Sequence, residues 1–295
     1  MTFELFVDAT CDLPQEYAAE KGIHLLYPHL VHSDVNGRIT EIDPNTPPQH
    51  FYDLLQCADE MGEKFSTTAP NAFEYEVAFR RALDKGNDVL YIGMPSSMSS
   101  AYSNANAAIS ILKDEYPNMT LTAIDSGCMS LGYGLLVKHI VDAGMEKLDT
   151  IKSYASHWQD RMAHIFTVTD FSHFARSGRL KSTEYKLAKM LGIYPYMRFA
   201  YDQNDVKRLF TDYKVKGRIR LYREIVAEVK ATIVRPDDDV VIAYGDSRGA
   251  AEELYTILKD ELPEANIICG SEWRIGAAVG AHTGGTVLAV FFRTK

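Results

Sequence analysis

Short apolar runs alternate along the chain with polar turns and with segments whose apolar residues recur every three or four positions. Phe3 to Asp8 reads as a first strand that ends in a polar turn through Pro14, followed by a helix. Ile23 to Tyr27 and Arg38 to Ile42 are further short strands. Pro47 and Pro48 open a helix, because proline is tolerated in the first turn, and Phe51, Leu54, Leu55 and Ala58 then keep helical spacing. A second helix follows Pro70, with Phe73, Val77 and Leu83 expected on its apolar side. Asp88 to Gly93 is apolar nearly throughout, as in a parallel strand covered on both faces. Met119 to Ile124 repeats the pattern ahead of a glycine-punctuated helix. Strand, polar loop and helix thus recur at least three times, which predicts βαβ units.

After about Asp149 the pattern changes. His164 to Thr169 reads as a strand, and Tyr194 to Ala200 with Val206 to Phe210 flank Asp202-Gln-Asn-Asp205 as a hairpin. A helix over about Arg218 to Thr232 precedes strands at Asp239 to Tyr244 and Asn266 to Cys269. A glycine-rich segment, Gly276 to Gly285, comes before the last strand. The expectation is an α/β protein of two domains, 1–150 and 151–295, with segments free to cross between them.

Charge narrows the function classes. Lys and Arg number 31 against 40 Asp and Glu, a net charge of −9, which is a poor match for nucleic acid or an anionic lipid surface. No apolar run reaches membrane-spanning length. Asp8 and Asp12 fall where a secretory signal would keep its apolar stretch. Cys11, Cys57, Cys128 and Cys269 are scattered, with no C-x-x-C pair. A cytoplasmic setting is expected from these features. The nine histidines do not pair at helical spacing with a carboxylate, and nucleotide-binding and hydrolase-elbow motifs are missing, so neither metal nor cofactor is expected.

Three polar clusters stand out in segments read as loops: Ser66-Thr67-Thr68, Ser96-Ser97-Met98-Ser99-Ser100 and His282-Thr283-Gly284-Gly285. The first reads equally as a helix cap. The second has four hydroxyls in five residues, more than capping needs, and suits an anion or carboxylate site at the start of a helix. The glycines beside His282 allow close backbone approach to a ligand. Arg176 and Arg179 flank a turn, and Lys216 and Arg218 flank a helix start; either an anion site or a solvated face explains them.

In order, these segments resemble the DegV family of fatty-acid-binding proteins. Asp8-Ala-Thr-Cys-Asp-Leu-Pro14 is similar to the family's D-S-T-x-D-L-P, and Thr67-Thr-Ala-Pro70 stands for T-S-Q-P. Ser96-Ser-Met-Ser-Ser-Ala-Tyr102 stands for S-x-L-S-G-T-Y, and Asp125-Ser126 for D-S. Ser177-Gly-Arg-Leu180 resembles G-G-R-I, Lys216-Gly-Arg218 resembles K-x-R, and His282-Thr-Gly284 begins H-x-G-P-G. The resemblance implies an N-terminal βαβ parallel-sheet domain and a C-terminal mixed α/β domain, with one long-chain fatty acid buried between them. It implies carboxylate contacts at Thr67 and Ser99, with His282 in the adjoining hydrogen-bond network and Ser96, Thr68, Thr283 and Gly284 close by. It also implies a non-catalytic carrier that presents the fatty acid to a fatty acid kinase for acyl-phosphate formation in phospholipid synthesis, with Arg179 and Arg218 near the carboxylate end. Ala9, Ala69, Ser100, Ala101 and Gly285-Thr286 depart from the family's pattern. Two alternatives are a serine-dependent hydrolase using Ser99 or Ser96 with His282, and a carrier of another small anion.

Overall fold

The structure, a computed structural model, describes residues 3–178, 192–201 and 206–295. Its contacts group into two units, Met1–His29 with Thr68–Asp160 and Leu30–Thr67 with Arg161–Lys295.

The first unit is built on a four-stranded parallel sheet. β1 (Phe3–Asp8) lies between β2 (Ile23–Leu26) and β6 (Asp88–Gly93), and β7 (Leu121–Asp125) closes the far edge. β6 sits inside the sheet with five of its six residues buried, the outcome its apolar run implies. α3 (Ala72–Leu83) and α4 (Ala101–Glu115) pack on the sheet through Tyr75, Phe79, Ala105 and Leu112 against Phe6, Val89 and Tyr91. The buried stripe of α3 is Tyr75, Phe79, Ala82 and Leu83; Phe73 and Val77 are instead 68% and 36% exposed. The helix carries more apolar residues than one face accommodates, and packing against Phe6, Val89 and Tyr91 buries the Tyr75 stripe. The helix starts at Asn71, which accepts the Glu74 amide while the Glu74 carboxylate accepts the Asn71 amide, a capping box. α5 (Ser130–Asp142) crosses close to the turn after β1, because a side chain at Gly134 would collide with the Cys11 carbonyl oxygen. α6 (Leu148–Arg161), which the sequence pattern did not announce, completes the unit.

The second unit contains a six-stranded mixed sheet in the order β10-β9-β8-β13-β11-β12. Its strands are β8 (Met162–Thr167), β9 (Ile193–Tyr201), β10 (Lys207–Lys216), β11 (Asp239–Tyr244), β12 (Asn266–Ile268) and β13 (Leu288–Arg293). β9 and β10 pair antiparallel as the hairpin pattern predicts, and only β11 and β12 run parallel. α8 (Arg218–Thr232) and α9 (Arg248–Glu261) bury Leu221, Ile225, Leu254 and Leu258 against this sheet. The segment 30–67 adds a small sheet in the order β4-β3-β5 and the helix α2 (Pro48–Met61). β4 (Ile39–Ile42) matches expectation. β3 (His29–Ser33) and β5 (Lys64–Thr68) are strands that the sequence pattern missed, because they are mostly polar and only partly covered.

Candidate functional site

β5 brings Thr67 to the site. Side chains alternate along a strand, so Thr67 shares a face with Phe65, whose ring meets Phe51 of α2 at 5.4 Å. α2 in turn packs on α10 (Ala277–Thr283), where Phe51, Tyr52 and Leu55 form one apolar cluster with Ala277 and Ala281. Gly280 permits the approach: a Cβ there would lie 2.7 Å from the Tyr52 hydroxyl and 2.8 Å from Phe51. The Tyr52 hydroxyl donates to the Ile275 carbonyl at 3.1 Å, fixing the start of this segment. The result is a 2.7 Å hydrogen bond between Thr67 Oγ1 and His282 Nε2, across 215 residues of sequence. If Nε2 carries the proton, the imidazole donates to Thr67 and leaves the threonine hydroxyl hydrogen for a ligand oxygen. If Nε2 is bare, Thr67 spends that hydrogen on the ring.

The serine turn lies at the carboxyl ends of three adjacent parallel strands, where open α/β sheets bind ligands. Gly93 ends β6, and the turn is held from both neighbouring strands. The last residue of β1, Asp8, accepts the Met94 amide at 2.8 Å. The last residue of β7, Asp125, accepts the Ser96 amide at 3.0 Å and the Gly127 amide at 2.9 Å. Ser99 Oγ accepts the Ala101 amide at 3.2 Å, so its own hydrogen remains available to a ligand. Asp8 is buried and also accepts hydroxyls from Tyr75 at 2.9 Å and Tyr91 at 2.8 Å. Burial raises its pKa above the ordinary carboxylate value, against the lowering effect of these three donors.

A profile described as an uncharacterised protein of the DegV family matches residues 2–295. The chain belongs to the DegV family. A DegV domain-containing protein of Clostridium perfringens is 30% identical over 295 residues, covering 98% of this chain and 97% of the relative. Two solved structures share the fold along the full length of both chains. A DegV family protein from Thermus thermophilus, whose structure is described for its fatty acid binding, superposes with a TM-score of 0.80 at 20% identity. The fatty acid kinase B3 protein of Streptococcus pneumoniae, loaded with linoleic acid, gives 0.79 at 15% identity.

Within this DegV chain the other sequence candidates fall in varied settings. Thr68 and Ser96 are exposed, at the end of β5 and in the serine turn. Ser66 to Thr68 do not form a helix cap; Asn71 has that role. His282 and Thr283 belong to α10 and not to a loop. Thr283 is buried and its hydroxyl donates back to the Val279 carbonyl at 3.2 Å. Gly284 has φ 77° and ψ 172°, a backbone conformation that needs glycine. Arg218 begins α8, half exposed, and pairs with Glu253 at 3.0 Å. Arg176 lies on α7 (Ser172–Ser177) and pairs with Asp59 at 3.0 Å. Arg179 lies outside the described residues.

The structure also shows groups that sequence reasoning passed over. Buried His173 on α7 donates from Nε2 to Asp59 Oδ2 at 2.9 Å and accepts from Arg176 at Nδ1, 2.8 Å away. Arginine only donates, so this pair defines a neutral Nε2–H imidazole, and burial lowers its pKa accordingly. Buried Arg274 lies between the Tyr52 and Tyr244 rings, 5.3 Å from each, and donates to the Gly245 carbonyl and Gln49. A cavity of about 280 Å³ beside Gly285 is lined by Asp59, Glu60, Asp170 and Asp246, of which Asp59 pairs with Arg176 and Asp246 with Arg274. Among the described residues, no cluster of histidine, cysteine and carboxylate side chains is arranged to hold a metal, and no helix is long and apolar enough to cross a membrane.

Proposed function

We propose that this protein binds one long-chain fatty acid and presents its carboxylate to a fatty acid kinase, without catalysing a reaction itself. Thr67 and Ser99 supply hydroxyl donors to the carboxylate, and His282 holds Thr67 in its donating state. Arg218 and Arg179 serve acyl-phosphate formation with the kinase more than fatty-acid binding. The observation that carries this reading is the 2.7 Å bond between Thr67 and His282. It joins two of the residues the family resemblance marks and engages the imidazole Nε2 with a threonine and not with Ser96 or Ser99, which favours a carrier over a hydrolase. The shared fold supports the ligand class, since solved structures that match along nearly the whole chain are described as a stearic-acid-binding protein, a DegV family protein loaded with heptadecanoic acid and a fatty acid kinase B3 protein loaded with linoleic acid.

Energetics agree. A palmitate-sized chain buries about fourteen methylenes at ~0.8 kcal/mol each, on the order of 11 kcal/mol before ordering costs. The carboxylate is the costly part, and neutral hydroxyls satisfy it without a countercharge that would resist later release. Isothermal titration with palmitate tests the assignment. Thr67→Ala and Ser99→Ala are each expected to weaken binding about ten-fold, the value of one hydrogen bond to a charged group, with the circular dichroism unchanged. Unchanged affinity in both variants would remove the head-group assignment.

A further inference from the structure

We propose that the open edge of β2 docks an extended, acidic segment of a partner protein as an added strand. The inference goes beyond the fatty-acid reading and does not depend on it. β2 forms one edge of the parallel sheet and pairs with β1 alone. On such an edge the amides and carbonyls of alternate residues point away from the neighbouring strand, toward an incoming backbone. The six-stranded sheet guards its long edge, because β10 carries a bulge between Thr211 and Tyr213 and exposed Lys214 and Lys216. β2 has no such guard. Its residues are Ile23, His24, Leu25 and Leu26, in unbroken register with β1. His24 leans back over β1, with its ring stacked 4.6 Å from Phe6 and Nε2 2.9 Å from Glu4.

A cavity of about 580 Å³ follows this edge, and all four residues of β2 line it. α1 (Gln15–Glu20) gives one wall through Ala18 and Ala19, and α3 gives the other through Ala78, Arg81 and Lys85. The connections from β1 to β2 and from β2 to β6 run in opposite directions across the sheet, so right-handed crossovers place these helices on opposite faces. Successive side chains of an added strand therefore face α1 and α3 in turn. Charge selects the occupant. Glu4, the one carboxylate lining the cavity, is already engaged by His24, by Asn87 at 2.8 Å and by Lys85 at 3.6 Å. Arg81 and Lys85 are exposed, and Arg81 makes no ion pair among the described residues. This cationic wall, on a chain of net charge −9, suits a strand with carboxylates toward α3 and small apolar side chains toward α1. A second copy of the chain fits less well. Antiparallel pairing of two β2 edges about a two-fold axis brings α3 beside its copy, with Arg81 and Lys85 facing like charges.

The test titrates the full chain with two capped peptides of about eight residues, one alternating valine and glutamate, the other valine and lysine. Hydrogen exchange locates the contact. The glutamate peptide is expected to slow amide exchange within residues 23–26 and to bind at least about ten-fold tighter than the lysine peptide. Arg81→Glu, at an exposed position, is expected to weaken the glutamate peptide about five-fold and to strengthen the lysine peptide. A glutamate peptide methylated at every backbone nitrogen cannot donate to β2 and is expected not to bind. Binding that survives methylation, or that leaves exchange in residues 23–26 unchanged, reflects charge attraction alone and overturns the strand addition. Equal affinity for the two peptides, or no binding of the glutamate peptide up to about 1 mM, overturns it as well. Protection of residues 23–26 that grows with protein concentration and without peptide assigns the edge to a second copy and overturns the proposed partner. None of these outcomes bears on fatty-acid binding, which the palmitate titration reads separately.

Discussion

Replacing Gly284 with alanine isolates the strut that supports the His282 end of α10. Gly284 has φ 77° and ψ 172°, a region essentially closed to residues with a Cβ, and the strain alone costs about 1–3 kcal/mol. An added Cβ would also collide with His173 Cδ2 and come within 3.1 Å of its Cγ and Nε2. His173 has nowhere to go. It is 3% exposed and pinned on one side by Asp59 at 2.9 Å and on the other by Arg176 at 2.8 Å. Moving the ring breaks at least one of these charge-assisted bonds, at about 1.5–3 kcal/mol. Together the two effects come to about 2.5–6 kcal/mol. Gly144→Ala is the control, because Gly144 also has positive φ, 60°, but nothing within 4 Å of its missing Cβ. It is expected to cost only the backbone strain, about 1–2 kcal/mol. Urea unfolding followed by tryptophan fluorescence reads the difference, with Trp273 in the same unit as Gly284 and Trp158 in the other. In a His173→Ala background the collision is gone, and Gly284→Ala is expected to cost no more than strain. The reasoning fails if Gly284→Ala costs no more than Gly144→Ala, or if removing His173 leaves its cost unchanged.

Two further expectations concern pH. His164 is buried, donates from Nδ1 to the Met162 carbonyl at 3.0 Å, and sits edge-on to Phe199 and Phe291; burial, helped by Lys207, pushes its pKa down to about 3. The unfolded chain therefore takes up its proton first, and stability present above about pH 6.5 is lost as pH falls toward 3, at up to about 1.4 kcal/mol per pH unit. His164→Phe should flatten this slope in urea titrations, and parallel curves for the two proteins would refute the assignment. Asp8 has the opposite sign: its raised pKa means that the folded state holds the proton longer, so its burden on stability grows as pH rises from about 3.8 through the folded value. The stability of wild-type protein relative to Asp8→Asn should fall as pH rises, and a difference independent of pH would contradict a carboxylate whose desolvation outweighs its three hydrogen-bond donors.

What the sequence reveals depends on how much burial each element has. β6 and α8 are plain in the sequence because their apolar residues are continuous or regularly spaced and nearly all buried. β3 and β5 escape notice because His29, His32, Ser33, Lys64 and Ser66 give no apolar alternation to read. On α3, Phe73 and Val77 compete with Tyr75 and Phe79 for the core, and only packing against Phe6 and Tyr91 of the assembled sheet settles what periodicity left open. Of the candidate site residues, Ser99 stands out through the density of hydroxyls around it, whereas Thr67 fits a helix cap equally well and His282 a satisfied surface or core position, so those two rest on motif resemblance. No local signal could reveal that β5 and α10 bring Thr67 and His282 together, because that pairing depends on α2 packing against Gly280. Asp8 and Asp125 were visible as motif letters, but their grip on the serine turn needs the order β1-β6-β7, which only the assembled sheet supplies.

The central claim is that this chain carries a fatty acid. Mass spectrometry of the organic-solvent extract from purified, denatured protein tests it most directly. The account requires a near-stoichiometric fatty acid of about fourteen to twenty carbons, the length whose methylene burial accounts for tight binding. An extract without fatty acid, from a protein that also fails to take up added palmitate, would contradict it.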